Sequence, residues 1–139
     1  MDRPLISHVG IAVIELETAI DRWKLISGNN SPVIEDVPDQ KVRVAMFASA
    51  GSTVHGGGRV ELVAATSSES PIARFIEKNG EGLHHVCIYV DDIEAKLSEF
   101  KAAGVRLIDE QPRIGAEGKR IAFVHPGLMG GVLIELEER

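Results

Sequence analysis

Two histidines and two glutamates in this chain stand in matched surroundings at matched spacing. Residues 7–13, "SHVGIAV", and 84–90, "HHVCIYV", share the pattern X-His-Val-small-Ile-X-Val. Residues 57–63, "GGRVELV", and 130–136, "GGVLIEL", bring Glu61 into line with Glu135. His8 and His85 are 77 residues apart and Glu61 and Glu135 are 74 apart, so two separate landmarks report one internal duplication. A lone strand histidine is more often a hydrogen-bonded structural residue, and a mid-strand glutamate usually faces water. The duplication shifts that balance, because chance would have to place the same pair twice. Two imidazoles and two carboxylates suit a divalent transition ion, with positions left for substrate oxygens.

Strand alternation says how these groups are presented. His8 sides with Gly10 and Ala12, His85 with Cys87 and Tyr89, Glu61 with Arg59 and Val63, and Glu135 with Leu133 and Glu137. His84 falls on the face opposite His85, with Val86 and Ile88. His85 aligns with His8, whereas Ser7 occupies the place of His84. The ligand role therefore goes to His85, and His84 is expected to make a local hydrogen bond at the strand entrance. A glutamate beside large aliphatics is costly to bury unless something neutralises it.

The elements that must position these residues read as two βαβββ modules, at 5–66 and 83–138, within one domain spanning 1–139. In the first, Leu16, Ala19, Ile20 and Trp23 mark one face of a helix that stops near Gly28. In the second, Ile93, Leu97 and Phe100 mark a helix ending at Gly104, with Asp91 and Glu94 as a capping pattern. Strands are expected at 42–47 and 59–64, then at 105–108, 121–124 and 132–136. Between the modules, Ser70, Pro71 and Gly80 bracket a linker helix over 70–80. Residues 51–58, "GSTVHGGG", read as an exposed hairpin loop with a solvated His55. The fold class is α+β, with curved mixed sheets around a metal-centred cavity.

Bulk properties narrow the function. A net charge of −6 without a lysine or arginine cluster argues against nucleic acid. No apolar run approaches the ~20 residues of a membrane span, and the opening "MDRPLISHVG" lacks a signal-peptide core. The single cysteine, Cys87, excludes an internal disulfide and fits a reducing compartment, so a cytoplasmic protein is expected.

The paired His…Glu modules resemble the vicinal oxygen chelate superfamily. Over nearly the whole chain the sequence is similar to the methylmalonyl-CoA epimerase family. The likeness is carried by "HVGIAV" (8–13), "SPIARFIEKNGEGLHHVCIYVDDI" (70–93), "GVRLIDEQPRIGAEGKRIAFVHP" (104–126) and "GGVLIELEE" (130–138). It implies metal ligands at His8, His85 and Glu135, with Glu61 at a fourth position. It also implies divalent cobalt, with Zn2+, Mn2+ or Ni2+ able to substitute, an acyl-CoA substrate epimerised through an enolate, and a homodimer. Such an inversion needs two acid/base groups, one on each face of the carbon. Glu135 is the first candidate. Some family members carry a second glutamate where this chain has Val44, which leaves Glu61 next in line.

The loop "GAEGKR" (115–120) could offer Lys119 and Arg120 to CoA phosphates, but its spacing alone favours a hairpin turn with solvated charges. His125 either closes the pocket or is a turn residue. Other readings of the same fold are a glyoxalase I-like lyase, a ring-cleaving dioxygenase and a metal-free resistance-type binding protein. Glu61 as a fourth ligand would crowd the positions oxygen chemistry needs. An aromatic content of 4% is low for a drug-binding cup.

Overall fold

The computed structural model describes residues 5–48 and 58–139. The 51–57 stretch with His55, expected to be a hairpin loop, lies outside the described residues. The first half runs β1 (Ile6–Ala12), α1 (Leu16–Ser27), β2 (Val33–Val37), β3 (Val42–Phe47) and β4 (Arg59–Ala65). Helix α2 (Pro71–Asn79) leads to the second half: β5 (Gly82–Val90), α3 (Ile93–Ala102), β6 (Arg113–Ile114), β7 (Arg120–Val124) and β8 (Leu133–Glu138). The expected βαβββ duplication is therefore present. All eight strands form one curled sheet in the order β2-β3-β4-β1-β5-β8-β7-β6. β1 is parallel to β4 and β5 to β8, and the halves meet where β1 and β5 pair antiparallel.

Which strand face turns inward follows from where the apolar residues go. Leu16 and Ile20 of α1, with Ala19 and Trp23, pack on Ala45, Phe47, Leu62 and Ala64. Ile93, Leu97 and Phe100 of α3 pack on Ala122, Val124 and Leu136. These strand positions alternate with Glu61 and Glu135, so covering the convex side with helices leaves both glutamates on the concave side. There Ile72 and Phe75 of α2 join Val37, Val42, Val44 and Val63. α2 is bounded as expected, with Ser70 accepting from the Ile72 amide at 3.2 Å and Gly80 ending it at φ 78°. α1 stops at Gly28 in the left-handed region.

Two expectations need correction. The α3 cap is Asp92, whose carboxylate accepts from Ala95 N at 3.0 Å, while Asp91 pairs with Arg139 and Glu94 with Arg120. The run 105–108 is not a regular strand: it makes a single bridge, Leu107 to Val124, and β6 falls at Arg113–Ile114. The cause is local. Asp109 uses its carboxylate to accept the Phe123 amide at 2.8 Å, and Pro112 has no N–H for a ladder. β2, absent from the sequence reading, is an edge strand with only Val37 buried, so it carries little apolar alternation.

The outer edges of the sheet approach one another across the concave side. The Glu117 amide, in the turn between β6 and β7, donates to both carboxylate oxygens of Glu35 on β2 at 3.0 and 2.9 Å.

At the β1–β5 seam Gly10 lies opposite His85. A Cβ on residue 10 would clash with Cε1, Nδ1 and Nε2 of the His85 ring, so only glycine lets that imidazole lie across β1. Gly10→Ala should therefore displace His85 and cost about 1–3 kcal/mol by overpacking. Urea unfolding would read the stability loss, and the imidazole NMR signals of His85 its displacement. Unchanged values in both would contradict the close approach.

Candidate metal centre and substrate cavity

His8 comes from β1, His85 from β5, Glu61 from β4 and Glu135 from β8, four adjacent central strands. All four residues are buried, at 2 to 7% exposure. The two Nε2 atoms are 3.2 Å apart. Glu61 Oε1 lies 3.6 Å from His8 Nε2 and 3.4 Å from His85 Nε2. Glu135 Oε1 lies 3.5 and 3.2 Å from the same two atoms. Donors about 2.0–2.2 Å from one ion at tetrahedral angles stand about 3.3–3.6 Å apart. The donor types suit a divalent ion, and each imidazole stands from the other and from both carboxylates at a separation that donors around one ion can adopt. His8, Glu61 and His85 form a group able to hold one.

Electrostatics point the same way. Among the described residues, the ion-pair partners of Glu61 and Glu135 are these imidazoles alone. Two buried carboxylates must draw positive charge from somewhere. Burial by itself would lower the His85 imidazole, yet hydrogen bonds and charge from Glu135 and Glu61 carry it up to about 10. Burial likewise works to raise Glu135, but His8 and His85 hold it well below the usual carboxylate range. Without an ion, a proton on His85 does part of the neutralising. Cys87, beside His8 and Glu135, is pushed up by burial first and by Glu135 next, and so stays a neutral thiol.

His84 departs from its expected face. The pairing Gly10–His85 is followed by Ile11–Leu83, so His84 has no partner on β1 and forms a β-bulge. The bulge breaks the two-residue period and turns His84 to the same side as His85. Its expected local hydrogen bond is present, with Nδ1 2.9 Å from His85 Nδ1. Phe75 of α2 packs edge-on against the His84 ring at 4.8 Å. Burial, then the charge on His85, lowers His84 to about 4.

Glu61, His85 and Glu135 of the quartet line a cavity of about 210 Å³ to which both halves contribute. Val37, Val42, Val44, Val63 and Ile72 make one wall, and Ile108, Phe123 and Leu133 the other. The second-base position at Val44 thus faces the cavity with an aliphatic group. Arg113, for which the sequence carried no periodic or motif signal, is the lysine or arginine among the lining residues. Its guanidinium lies over Phe123 at 5.0 Å and pairs with Asp109 at 3.2 Å, while its Nε is buried with no hydrogen-bond partner. Lys119 and Arg120 are not among the lining residues. Arg120 is engaged by Glu94 and Glu138 at 3.2 and 3.3 Å. His125 is a turn residue, its Nδ1 accepting from Gly127 N at 3.0 Å.

Behind the quartet, Arg59 donates to Ser7 Oγ at 2.8 Å and Tyr89 Oη at 2.7 Å, and pairs with Glu117 at 3.6 Å. Glu137, on the same face as Glu135, is 4.0 Å from Arg59. Burial and then the neighbouring Glu135 raise it to about 7.

Residues 7–123 match the family model for the glyoxalase/bleomycin resistance protein/dioxygenase superfamily. The chain is 40% identical over 134 residues to the mitochondrial methylmalonyl-CoA epimerase of Homo sapiens, covering 96% of this chain and 73% of that protein. It is 38% identical over 135 residues to an ethylmalonyl-CoA/methylmalonyl-CoA epimerase of Cereibacter sphaeroides, covering 96% of each. A Streptomyces coelicolor methylmalonyl-CoA epimerase variant, solved with 2-nitronate-propionyl-CoA, superposes with a TM-score of 0.89 at 32% identity, over 96% of this chain and 92% of that one. With its fold, its duplicated His…Glu modules and these matches, the chain belongs to the glyoxalase/bleomycin resistance/dioxygenase superfamily and, within it, to the methylmalonyl-CoA epimerase family.

Proposed function

We propose that this chain interconverts the (R) and (S) forms of methylmalonyl-CoA, with ethylmalonyl-CoA as the near alternative substrate. The observation that carries this reading is the buried His8–Glu61–His85–Glu135 quartet, three of whose members line a largely apolar cavity, in a chain of the epimerase family. The proton to be moved lies between a thioester and a carboxylate, and the enolate left behind is the hard species to form. His8, Glu61, His85 and Glu135 would hold a divalent ion, cobalt first, with Zn2+, Mn2+ or Ni2+ as alternatives. When bound, that ion supplies Lewis-acid stabilisation of the charge developing on the substrate oxygens. A nitronate is planar and anionic as the enolate is, so the ligand named with the Streptomyces coelicolor protein supports an enolate route.

The chain's own groups do the rest. In the strand order β4-β1-β5-β8, Glu61 and Glu135 stand on opposite sides of the histidine pair. A carbon held between them is accessible from both faces, as inversion requires. Glu135 is assigned as the first acid/base and Glu61 as the second, since Val44 supplies no proton carrier. The valine wall keeps water from the carbanionic centre and accommodates the methyl branch. Arg113, with an unused buried N–H, is assigned to the negative charge of the acyl group. Exposed Ile14, Leu25 and Ile26 support a homodimer, and the single buried thiol supports a cytoplasmic setting.

The direct test follows the α-proton of (S)-methylmalonyl-CoA by NMR in deuterium oxide with cobalt-loaded protein. Exchange and appearance of the (R) epimer are expected, and neither occurring would sink the assignment. Glu135→Gln should slow exchange by about 10²–10⁴-fold. Arg113→Ala should raise KM roughly tenfold or more with a smaller change in kcat; an unchanged KM would remove Arg113 from substrate binding.

Metal uptake should also move a proton. With His85 raised to about 10, the metal-free imidazole is charged at neutral pH, and an ion needs its lone pair. About one proton should leave per ion bound. Calorimetry in buffers of different ionisation heat measures this, and zero release would contradict a His85 ligand.

A further inference from the structure

The seam between β1 and β5 contains two β-bulges related by the internal duplication. The pairing Ile6–Ile88 followed by His8–Cys87 leaves Ser7 without a partner, as Gly10–His85 followed by Ile11–Leu83 leaves His84 without one. Each bulged residue immediately precedes one of the two central histidines. Each also turns its side chain onto that histidine's Nδ1: Ser7 Oγ to His8 Nδ1 and His84 Nδ1 to His85 Nδ1, both at 2.9 Å. In a regular antiparallel pair neither contact would form, because neighbouring side chains leave on opposite faces. The bulges thus put the residue before each ligand on the ligand's own side.

From this geometry we propose that His84 is a positioning residue that fixes the tautomer and ring plane of His85, as Ser7 does for His8. For His85 Nε2 to present a lone pair to the quartet, its ring proton must sit on Nδ1 and donate to an unprotonated His84 Nδ1. His84 is held for that role from its other side by Phe75 of α2, whose ring meets it at 88°. In the first module the acceptor is Ser7 Oγ, which Arg59 Nη2 also addresses at 2.8 Å. A guanidinium offers only protons, so it orients the hydroxyl lone pairs among its donors rather than competing with His8. The pair of neighbouring histidines thus divides the work: His85 meets the ion, and His84 aims it.

This inference rests on the metal reading above, not on the identity of the substrate, so its test reads metal directly. Cobalt affinity by chelator competition and the cobalt absorption bands would be measured for wild type, His84→Ala, His84→Phe and His84→Asn. The zinc-loaded forms would be examined by NMR for the slowly exchanging His85 Nδ1 proton. Asparagine can place an acceptor oxygen near the His84 Nδ1 position, whereas phenylalanine keeps a ring against Phe75 with no acceptor. His84→Ala and His84→Phe should bind cobalt about 10–100-fold more weakly, shift its bands and lose the protected proton. His84→Asn should restore most of the affinity and the proton. Thermal melts of the metal-free proteins separate misfolding from this effect, and His84→Phe, which keeps the packing, carries the comparison if His84→Ala melts early. Equal affinity and spectra in all four proteins would overturn the positioning role alone. Loss in His84→Asn as deep as in His84→Phe would also overturn it, by making the contribution packing. A wild type that takes up no metal would overturn both this inference and the metal reading.

Discussion

The arrangement turns on two buried carboxylates that must be neutralised without a lysine or arginine. Glu61 and Glu135 are both under a tenth exposed, and among the described residues their ion-pair partners are His8 and His85. Burying such charge is costly unless positive charge is brought to it. A proton on His85 meets part of that demand, and a divalent ion held by the quartet would meet it fully. The sheet curls so that the four donors face inward, with helices on its outer side and valines flanking the donors within. Arg59 is committed to Ser7, Tyr89 and Glu117 and leaves the carboxylates to the imidazoles.

Duplication accounts for how a short chain assembles this centre. Each module contributes a histidine from its first strand and a glutamate from its last, and the antiparallel β1–β5 seam brings the modules together about one locus. Symmetry also supplies a carboxylate on each side of the histidine pair, the requirement for chemistry that must reach both faces of a carbon. Departures from symmetry differentiate the two halves. Ser7 answers His84, Gly10 answers Cys87, and Arg113 belongs to one half alone. Linker helix α2 does more than connect, since Phe75 braces His84 and Ile72 walls the cavity.

Much of the fold and the quartet was legible in the residues. Helices α1 and α3 were readable because three- and four-residue apolar spacings ended at Gly28 and Gly104, and α2 because Ser70, Pro71 and Gly80 bracket it. The quartet was readable because it recurs. Legibility failed where structure stops being periodic. The 105–108 run has strand-like residues, yet Asp109 and Pro112 break its ladder. Asp92 took the α3 cap from Asp91 because Arg139, at the far end of the chain, engages Asp91. Alternation puts His84 on the wrong face because it assumes an unbroken ladder, which the register shift between Gly10 and Ile11 interrupts.

The sequence by itself determined the four candidate donors, their pairing across the repeat, the helix ends and the face on which each glutamate lies. These follow from local chemistry: alternation, capping, and the cost of burying a carboxylate among aliphatics. Only the tertiary structure decided that His84 turns back onto His85, that Arg113 lines the cavity in place of Lys119 or Arg120, and that Glu35 meets the Glu117 turn across the concave side. Each of these depends on register or on contact between residues far apart in the chain. A one-residue slip between two strands reverses a side chain's direction, and no local pattern records it.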